Sequence, residues 1–426
     1  MSSLVQKFDS IRRVDLRWPD LRAIATPIAV LSPVALIVSA QEFVMGAVAA
    51  LFLLHSWRTS DFAWAKQGWF VCLLALWAFS LGRTLLGLSP ITSDLIALHW
   101  IHFPIYAAAL ATWILPDEKS RRLLLAATIA TVAFYTADCL LQFFVGRDII
   151  GRPMYGDRLT GVFKKPGVGT EIAWLFLPAV LGLWQMGRGI AAAALAVASV
   201  LVVVLIGDRM GMLLVIAETF LVALMMRRLR KPALIALPII ALLGGAAIYV
   251  RPSIYQRQVV STYDVVIDVV SNADRSPYGV VFDSAFKIAG DHWLLGVGVH
   301  NYQAACVGER YGPYLVGPDQ LERCQGHPHN NYLQWLTENG AIGLALYCAF
   351  AVLILRRIAQ SFPGNRDNLI FCGLVASLAM RFWPLAAGTN FYSSWSAEPL
   401  FLMVGWTLAY CLSAERVNPA NAPKMD

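Results

Sequence analysis

The chain has 426 residues, of which 58% are apolar and 14% charged, with a net charge of +7, and a mean hydropathy of +0.59. A water-soluble domain carries nearer half apolar and a quarter charged residues, so a soluble enzyme is excluded and a polytopic membrane protein is expected. The positive balance is then a matter of which side of a membrane the charges face, and it does not indicate a nucleic-acid partner.

A helix crosses the hydrocarbon with roughly 20 residues. Apolar runs bounded by charges, Gly or Pro predict spans at 24–40, 42–56, 69–87, 95–115, 122–145, 170–187, 190–206, 210–226, 233–250, 332–355, 368–388 and 397–413, about twelve in all. The first 23 residues are polar and basic, and no cleavable signal is expected. Residues 189–226 are too long for one crossing, and Gly207-Asp208-Arg209-Met210-Gly211 at their midpoint reads as the tight turn of a hairpin. The fold class is therefore all-α: helices 1–9 in residues 1–250, a large outer loop in 251–331, helices 10–12 in 332–413, and a tail in 414–426.

With a cytoplasmic N-terminus, most of the 34 Lys and Arg fall in cytoplasmic segments, for example Arg12, Arg13, Arg17, Arg121, Arg122, Arg227, Arg228, Arg356 and Arg357. The positive-inside rule then places both termini in the cytoplasm. The exceptions cluster. Arg147, Arg152, Arg158, Lys164 and Lys165 lie in the outer loop 146–168, and Arg251, Arg257, Arg275, Lys287, Arg310 and Arg323 in 251–331, with Arg83, Arg209 and Arg381 alone. Five cations in a short outer loop read as a site for an anionic ligand, with head-group anchoring as the plainer alternative for each. The spans themselves read as nearly free of charge, Asp138 being the main exception.

The segment 251–331 is too long for a linker. Residues 282–289 have aromatic and aliphatic positions at helical spacing and predict an amphipathic helix at the membrane surface. The Gly-rich run Leu294-Leu295-Gly296-Val297-Gly298-Val299-His300-Asn301-Tyr302 is a turn without the context of a dinucleotide fingerprint. Cys306 and Cys324 share this loop, and a disulfide between them or two free thiols remain open. The loop closes on His327-Pro328-His329-Asn330-Asn331-Tyr332, where Asn330 or Asn331 is a good N-cap for the helix that follows. His329 then sits at a helix N-terminus, whose positive end keeps an imidazole neutral and favours anions. A neutral imidazole suits a base, capping being the alternative role. His327 and His329 lack a third ligand at suitable spacing, so no metal is assigned to them.

From about 205 to 345 the chain resembles the bacterial O-antigen ligase and polymerase family of bactoprenol-linked glycan transferases. The resemblance rests on Gly207-Asp208-Arg209, on Asp274-Arg275-Ser276, and on the block Leu294–Tyr302. It also rests on His329-Asn330-Asn331-Tyr332-Leu333-Gln334, ending in Glu338-Asn339-Gly340-Ala341-Ile342-Gly343-Leu344, and more weakly on Arg158-Leu159-Thr160-Gly161-Val162-Phe163. It implies a GT-C-like enzyme of the bacterial inner membrane. Such a ligase moves a finished O-antigen from undecaprenyl diphosphate to the lipid A-core oligosaccharide at the periplasmic face, without ATP, metal or cofactor and with inversion. By resemblance the functional residues are Arg209, Arg275 and His329.

Asp208 stands where a small residue is expected, which leaves open whether it pairs with Arg209. Arg147, Arg158, Lys164, Lys165, His327 and Tyr332 are expected to contact the anionic substrates. Tyr155, Trp383, Phe391, Tyr392 and Trp395 are candidates to stack on sugars or to line the interfacial belt. The alternatives are an O-antigen polymerase, a protein O-oligosaccharyltransferase or, from another class, a transporter of lipid-linked glycan. A transporter is expected to carry ionisable groups within its spans.

Overall fold

A computed structural model describes residues 20–37, 40–86, 92–250, 252–261, 263, 267, 277–307, 324–385 and 388–417. In chain order the helices are α1 (Leu21–Val30), α2 (Ser32–Ala35), α3 (Gln41–Thr59), α4 (Gly68–Leu85), α5 (Thr92–His99), α6 (His102–Ala109) and α7 (Glu118–Val145). They continue with α8 (Val168–Gln185), α9 (Gly189–Ile206), α10 (Arg209–Met225), α11 (Arg230–Val250), α12 (Pro252–Tyr255) and α13 (Pro277–Asp291). The last four are α14 (Tyr302–Val307), α15 (Asn331–Asn365), α16 (Leu369–Arg381) and α17 (Ser394–Val417). Among the described residues there is no strand, only isolated bridges joining Arg147 to Pro153 and Tyr155 to Arg158.

Among the described residues, seven helices are long and apolar enough to cross a membrane: those over Gly68–Leu85, Leu95–Ile114, Glu118–Val145, Val168–Gln185, Gly189–Ile206, Asn331–Asn365 and Ser394–Ala414. The protein is a multi-pass, all-helical membrane protein. Of the remaining expected spans, 24–40, 42–56, 210–226 and 368–388 overlap helices that are shorter or less apolar, and 233–250 falls on α11, an apolar helix of 21 residues.

Local chemistry sets the helix ends. Asp117 caps α7 by accepting from the Ser120 N–H at 2.9 Å, and Asn368 caps α16 by accepting from Phe371 N–H at 3.1 Å. The expected hairpin at 207–209 is present: α9 ends at Gly207, and the Asp208 side chain caps α10 by accepting from Gly211 N–H at 3.3 Å. At the centre, α8 packs against α7, α9, α10 and α16, and α15 packs against α4 and α17.

Two sequence expectations change. The helix expected at 282–289 runs from Pro277 to Asp291, and its apolar face is covered by protein. Val280, Val281, Ala285 and Ile288 form a small second core with Tyr302, Cys306, Cys324 and Leu333, and the Cys306–Cys324 disulfide is formed there. Phe286, Trp293, Leu294 and Leu295 stay exposed beside it.

The spans are also not nearly free of charge. Arg83, Asp138, Glu171, Glu218, Glu338, Arg381 and Glu398 are all buried on helices of the bundle. Arg83 and Arg381 are thus interior groups, not loop charges on the outer face. The physical reason is that each helix carries only one or two of these charges, so its apolar average hides them; they become a set only when the helices pack.

Candidate active site

The site is built where the Gly-rich run docks on the start of α15. That helix is broken at Gly340, whose φ of 67° and ψ of −166° lie outside the helical region. The break frees backbone groups that a continuous helix would satisfy, and the loop takes them up. Val297 N–H donates to Thr337 O at 2.9 Å, Gly298 N–H to Glu338 O at 2.8 Å, and Ala341 N–H to Trp293 O at 2.8 Å. From α4, Arg83 donates to the carbonyls of Leu295, Glu338 (3.0 Å) and Gly296 (2.9 Å). The approach needs glycine on both sides. A Cβ on Gly296 would lie 2.4 Å from Glu338 C, and one on Gly340 would lie 2.2 Å from Leu294 O.

Side chains of the first turns of α15 complete the junction. Gln334 donates to Glu338 Oε2 at 3.3 Å and to Asn390 Oδ1 at 2.9 Å, and it accepts from Phe391 N–H at 2.9 Å. Glu338 Oε1 accepts from Tyr302 N–H at 3.4 Å. Asn390 Oδ1 also accepts from Tyr392 N–H at 3.0 Å, so the Asn390 amide nitrogen is the group that faces His300 Nδ1 at 2.9 Å. The amide donates there, which leaves the ring hydrogen of His300 on Nε2.

Three histidines meet at this end. His327 and His329 have ring centroids 4.4 Å apart, and His300 lies close enough to His327 to act on its charge. His327 faces Gly388 O at 3.2 Å, and Gly388 N–H donates to His329 O at 2.8 Å. His329 Nε2 contacts Gln325 Oε1. That oxygen accepts only, so the neutral ring carries its hydrogen on Nε2 and its lone pair on Nδ1. Burial lowers the pKa of His300 and of His329. Burial and then the neighbouring His329 push His327 down to about 4. All three are neutral near pH 7.

Asn330 makes the expected cap, accepting from Leu333 N–H at 3.0 Å. His300 and His329 both hold left-handed backbone, φ 59° and 53°, a state shared among described non-glycine residues only with Ser60. Such strain costs roughly 1–3 kcal/mol and concentrates at functional sites.

The other expected residues are dispersed. Half-buried Arg209 donates to Ser261 O at 3.2 Å, while the Asp208 carboxylate takes Gly211 N–H and the Thr170 hydroxyl (2.9 Å). Asp208 is thus engaged as a cap, which answers the question of its role beside Arg209. Arg275 lies outside the described residues. Lys164, Lys165 and Arg147 are exposed and Arg158 is half-buried, with Arg147 donating to Gly151 O at 3.1 Å. Their loop is fastened to the end of α7: Ile149 N–H donates to Asp138 Oδ1 at 2.7 Å, and Gln142 Oε1 accepts from Thr160 and Gly161 N–H. Asp138 therefore has a structural task. Tyr332 donates its hydroxyl to Phe382 O at 2.6 Å. Of the aromatics, Tyr155 and Trp383 are exposed, whereas Phe391 and Tyr392 are buried against Trp100 and Trp335.

The sequence assigned no role to His300, Gln325, Asn390, Arg83, Gln334 or Glu338. His300, Gln334 and Glu338 lie in the blocks that carry the resemblance, and the last two also form an i, i+4 polar pair just after the N-cap of an apolar helix.

Residues 194–348 match the family model described as O-antigen ligase. The match begins in α9, takes in Arg209 and the Gly-rich run, and ends in α15 beyond Gly340. Over these residues the chain is similar to the O-antigen ligase family. No curated protein matches the chain significantly. That similarity supports ligase- or polymerase-type glycosyl transfer on lipid-linked polysaccharide in general. The Gly-rich run, Gly340 and the three histidines fall inside the matched stretch, whereas Arg83, Gly388 and Asn390 lie outside it.

Proposed function

We propose that this protein transfers O-antigen from undecaprenyl diphosphate to the lipid A-core oligosaccharide, at the periplasmic face of the inner membrane. The observation that carries the reading is His329: neutral, in left-handed backbone, and held by Gln325 so that its lone pair is on Nδ1. In an inverting transfer the acceptor hydroxyl oxygen attacks the anomeric carbon, and the bond from that carbon to the diphosphate oxygen breaks. The diphosphate leaves with the electron pair, and the hydroxyl proton passes to His329. The leaving group gains negative charge, which the guanidinium groups of Arg209 and Arg275 stabilise by charge-assisted hydrogen bonds. Lys164, Lys165, Arg147 and Arg158 gather the anionic lipids.

A polymerase or a protein O-oligosaccharyltransferase differs in the acceptor. A transporter is the reading from another class, and the buried charges of Glu171, Arg381 and Glu398 speak for it. The test supplies purified protein in detergent with one lipid-linked glycan and either lipid A core or a second glycan. Extension of the core is expected. Extension of the second glycan alone makes the protein a polymerase, and no product with either acceptor favours transport. His329→Ala is expected to lower turnover by about 10²–10⁴-fold while donor binding persists. Full turnover in that variant removes the base. Arg209→Ala and Arg275→Ala are expected to weaken donor binding, and wild-type binding in both sinks the clamp.

A further inference from the structure

Beyond the family match, Glu42, His99 and His102 come together at the start of α3 and the corner between α5 and α6. One potential ligand atom from each lies within 4.8 Å of the other two. His99 Nδ1 lies 2.9 Å from Leu95 O, and His102 Nδ1 lies 2.6 Å from His99 O. A carbonyl oxygen only accepts, so each Nδ1 carries a hydrogen and each neutral ring keeps its lone pair on Nε2. The rings are stacked, with centroids 5.4 Å apart. His102 Nε2 is buried without a hydrogen-bond partner, although Glu42 Oε2 is only 3.1 Å away.

Two imidazoles and a carboxylate therefore converge. Three electron-rich groups at this range repel unless a positive charge sits among them. A proton on His102 would pair it with Glu42 at 3.1 Å and relieve that one contact, but it leaves His99 out. A cation relieves all three contacts and needs no N–H···O direction. Backbone carbonyls holding the distal Nδ1–H groups are also the arrangement that orients metal-binding histidines.

We propose that Glu42, His99 and His102 form a binding site for a divalent transition-metal ion. Two imidazoles and one carboxylate suit zinc best, and they offer too few oxygens for calcium or magnesium. The Glu42 side chain is 46% exposed, which leaves room for water to complete the coordination. The site is apart from the His329 junction but bears on it. His99 and His102 bracket the fully buried Trp100, whose ring lies 6.1 Å from Trp335 and 6.3 Å from Phe391. Trp335 stands on the same helical segment as Gln334 and Glu338. A metal joining α3 to the α5–α6 corner would brace Trp100 against the back of that segment, so the site positions and does not react.

The test uses the full-length protein in detergent, stripped with a chelator and titrated with zinc chloride. One zinc per chain is expected, with a Tm that rises with zinc concentration. His102→Ala and Glu42→Gln are expected to weaken zinc binding by roughly tenfold or more and to lose the Tm response. His327→Ala, which disrupts the other close histidine pair, is expected to keep both. Zinc content and Tm response that vanish in His327→Ala but survive in His102→Ala overturn the proposal, as does a wild type that does not respond to zinc. Should His102→Ala fail to fold, X-ray absorption of the wild type loaded with cobalt(II) decides the matter: two imidazole ligands and one carboxylate are expected, and a shell without imidazole overturns the site.

Discussion

His329 is active in the proposed transfer only as the neutral imidazole, and its environment favours that form. Burial lowers its pKa from the ordinary 6.5, so protonation sets in only below that value. The acid limb of kcat/KM is therefore expected to have its midpoint below pH 6.5, read from a pH–rate profile with lipid-linked donor and core acceptor. A midpoint above 6.5 contradicts the assignment. His327 adds a linked effect on stability. Its pKa is about 4 in the folded state and near 6.5 unfolded, so the unfolded chain binds more protons between those values. Its contribution is complete above about pH 6.5 and is lost as the pH falls toward 4.

At this scale the sequence showed His329 and its Asn330 cap because both lie in one short motif. It did not show the role of His300, whose Asn390 partner is 90 residues away. Nor did it show that the Asp208 side chain, adjacent to Arg209, is taken by a backbone N–H and Thr170. Contacts that depend on packing leave no local pattern.

Among the elements, α15 repays the closest comparison with its sequence. Its apolar periodicity predicts one helix from 332, and the helix is there, but Gly340 divides it into a polar first segment and an apolar remainder. A glycine inside a helical pattern ordinarily reads as a tolerated weakness. Here its meaning lies in a partner strand of loop, 294–298, that no periodicity predicts, although the glycines at 296 and 298 were visible as a motif. Similarly, α13 was legible as amphipathic, while the surface covering it required the disulfide and α14.

Gly340→Ala tests the junction. A side chain at φ 67° and ψ −166°, a region essentially confined to glycine, costs about 1–3 kcal/mol, and the Cβ would also overlap Leu294 O. The variant is expected to melt lower and to expose 292–300 to limited proteolysis. Gly46→Ala, inside α3 with a Cβ that meets nothing within 4 Å, serves as the control and is expected to melt no lower than the wild type, Ala being the better helix former. Unchanged melting and cleavage in Gly340→Ala would show that the loop does not depend on the break.

For the whole molecule, the net charge of +7 divides into loop cations, legible from their runs, and interior charges that single helices conceal. Arg381, near the end of α16, is the clearest interior case. Its guanidinium lies 3.4 Å from the centre of the Trp174 ring and donates to Ser396 O and to Ser396 Oγ at 3.2 Å. Glu171 on α8 and Glu398 on α17 both act on its charge, and their carboxylates keep oxygens without a hydrogen-bond partner. Three helices thus meet near one cation, with two carboxyl groups close enough to act on its charge.

Removing that cation takes the donor from the buried Ser396 carbonyl, the partner from the Trp174 ring and the positive charge from beside the two acids, and an unsatisfied buried polar group alone costs about 1–3 kcal/mol. Arg381→Ala is accordingly expected to lower the Tm in detergent strongly. Arg381→Met combined with Glu398→Gln is expected to recover much of the loss, because it removes a charge of each sign and keeps similar volume. A single variant as stable as the wild type, or a double variant no better than the single, would mean that the charges do not hold α8, α16 and α17 together. Recovered stability with unimpaired transfer would assign the cluster to architecture. Recovered stability without transfer would assign it to the reaction or to moving the lipid-linked substrate, the one place where the transporter reading and the enzyme reading make different use of the same three residues.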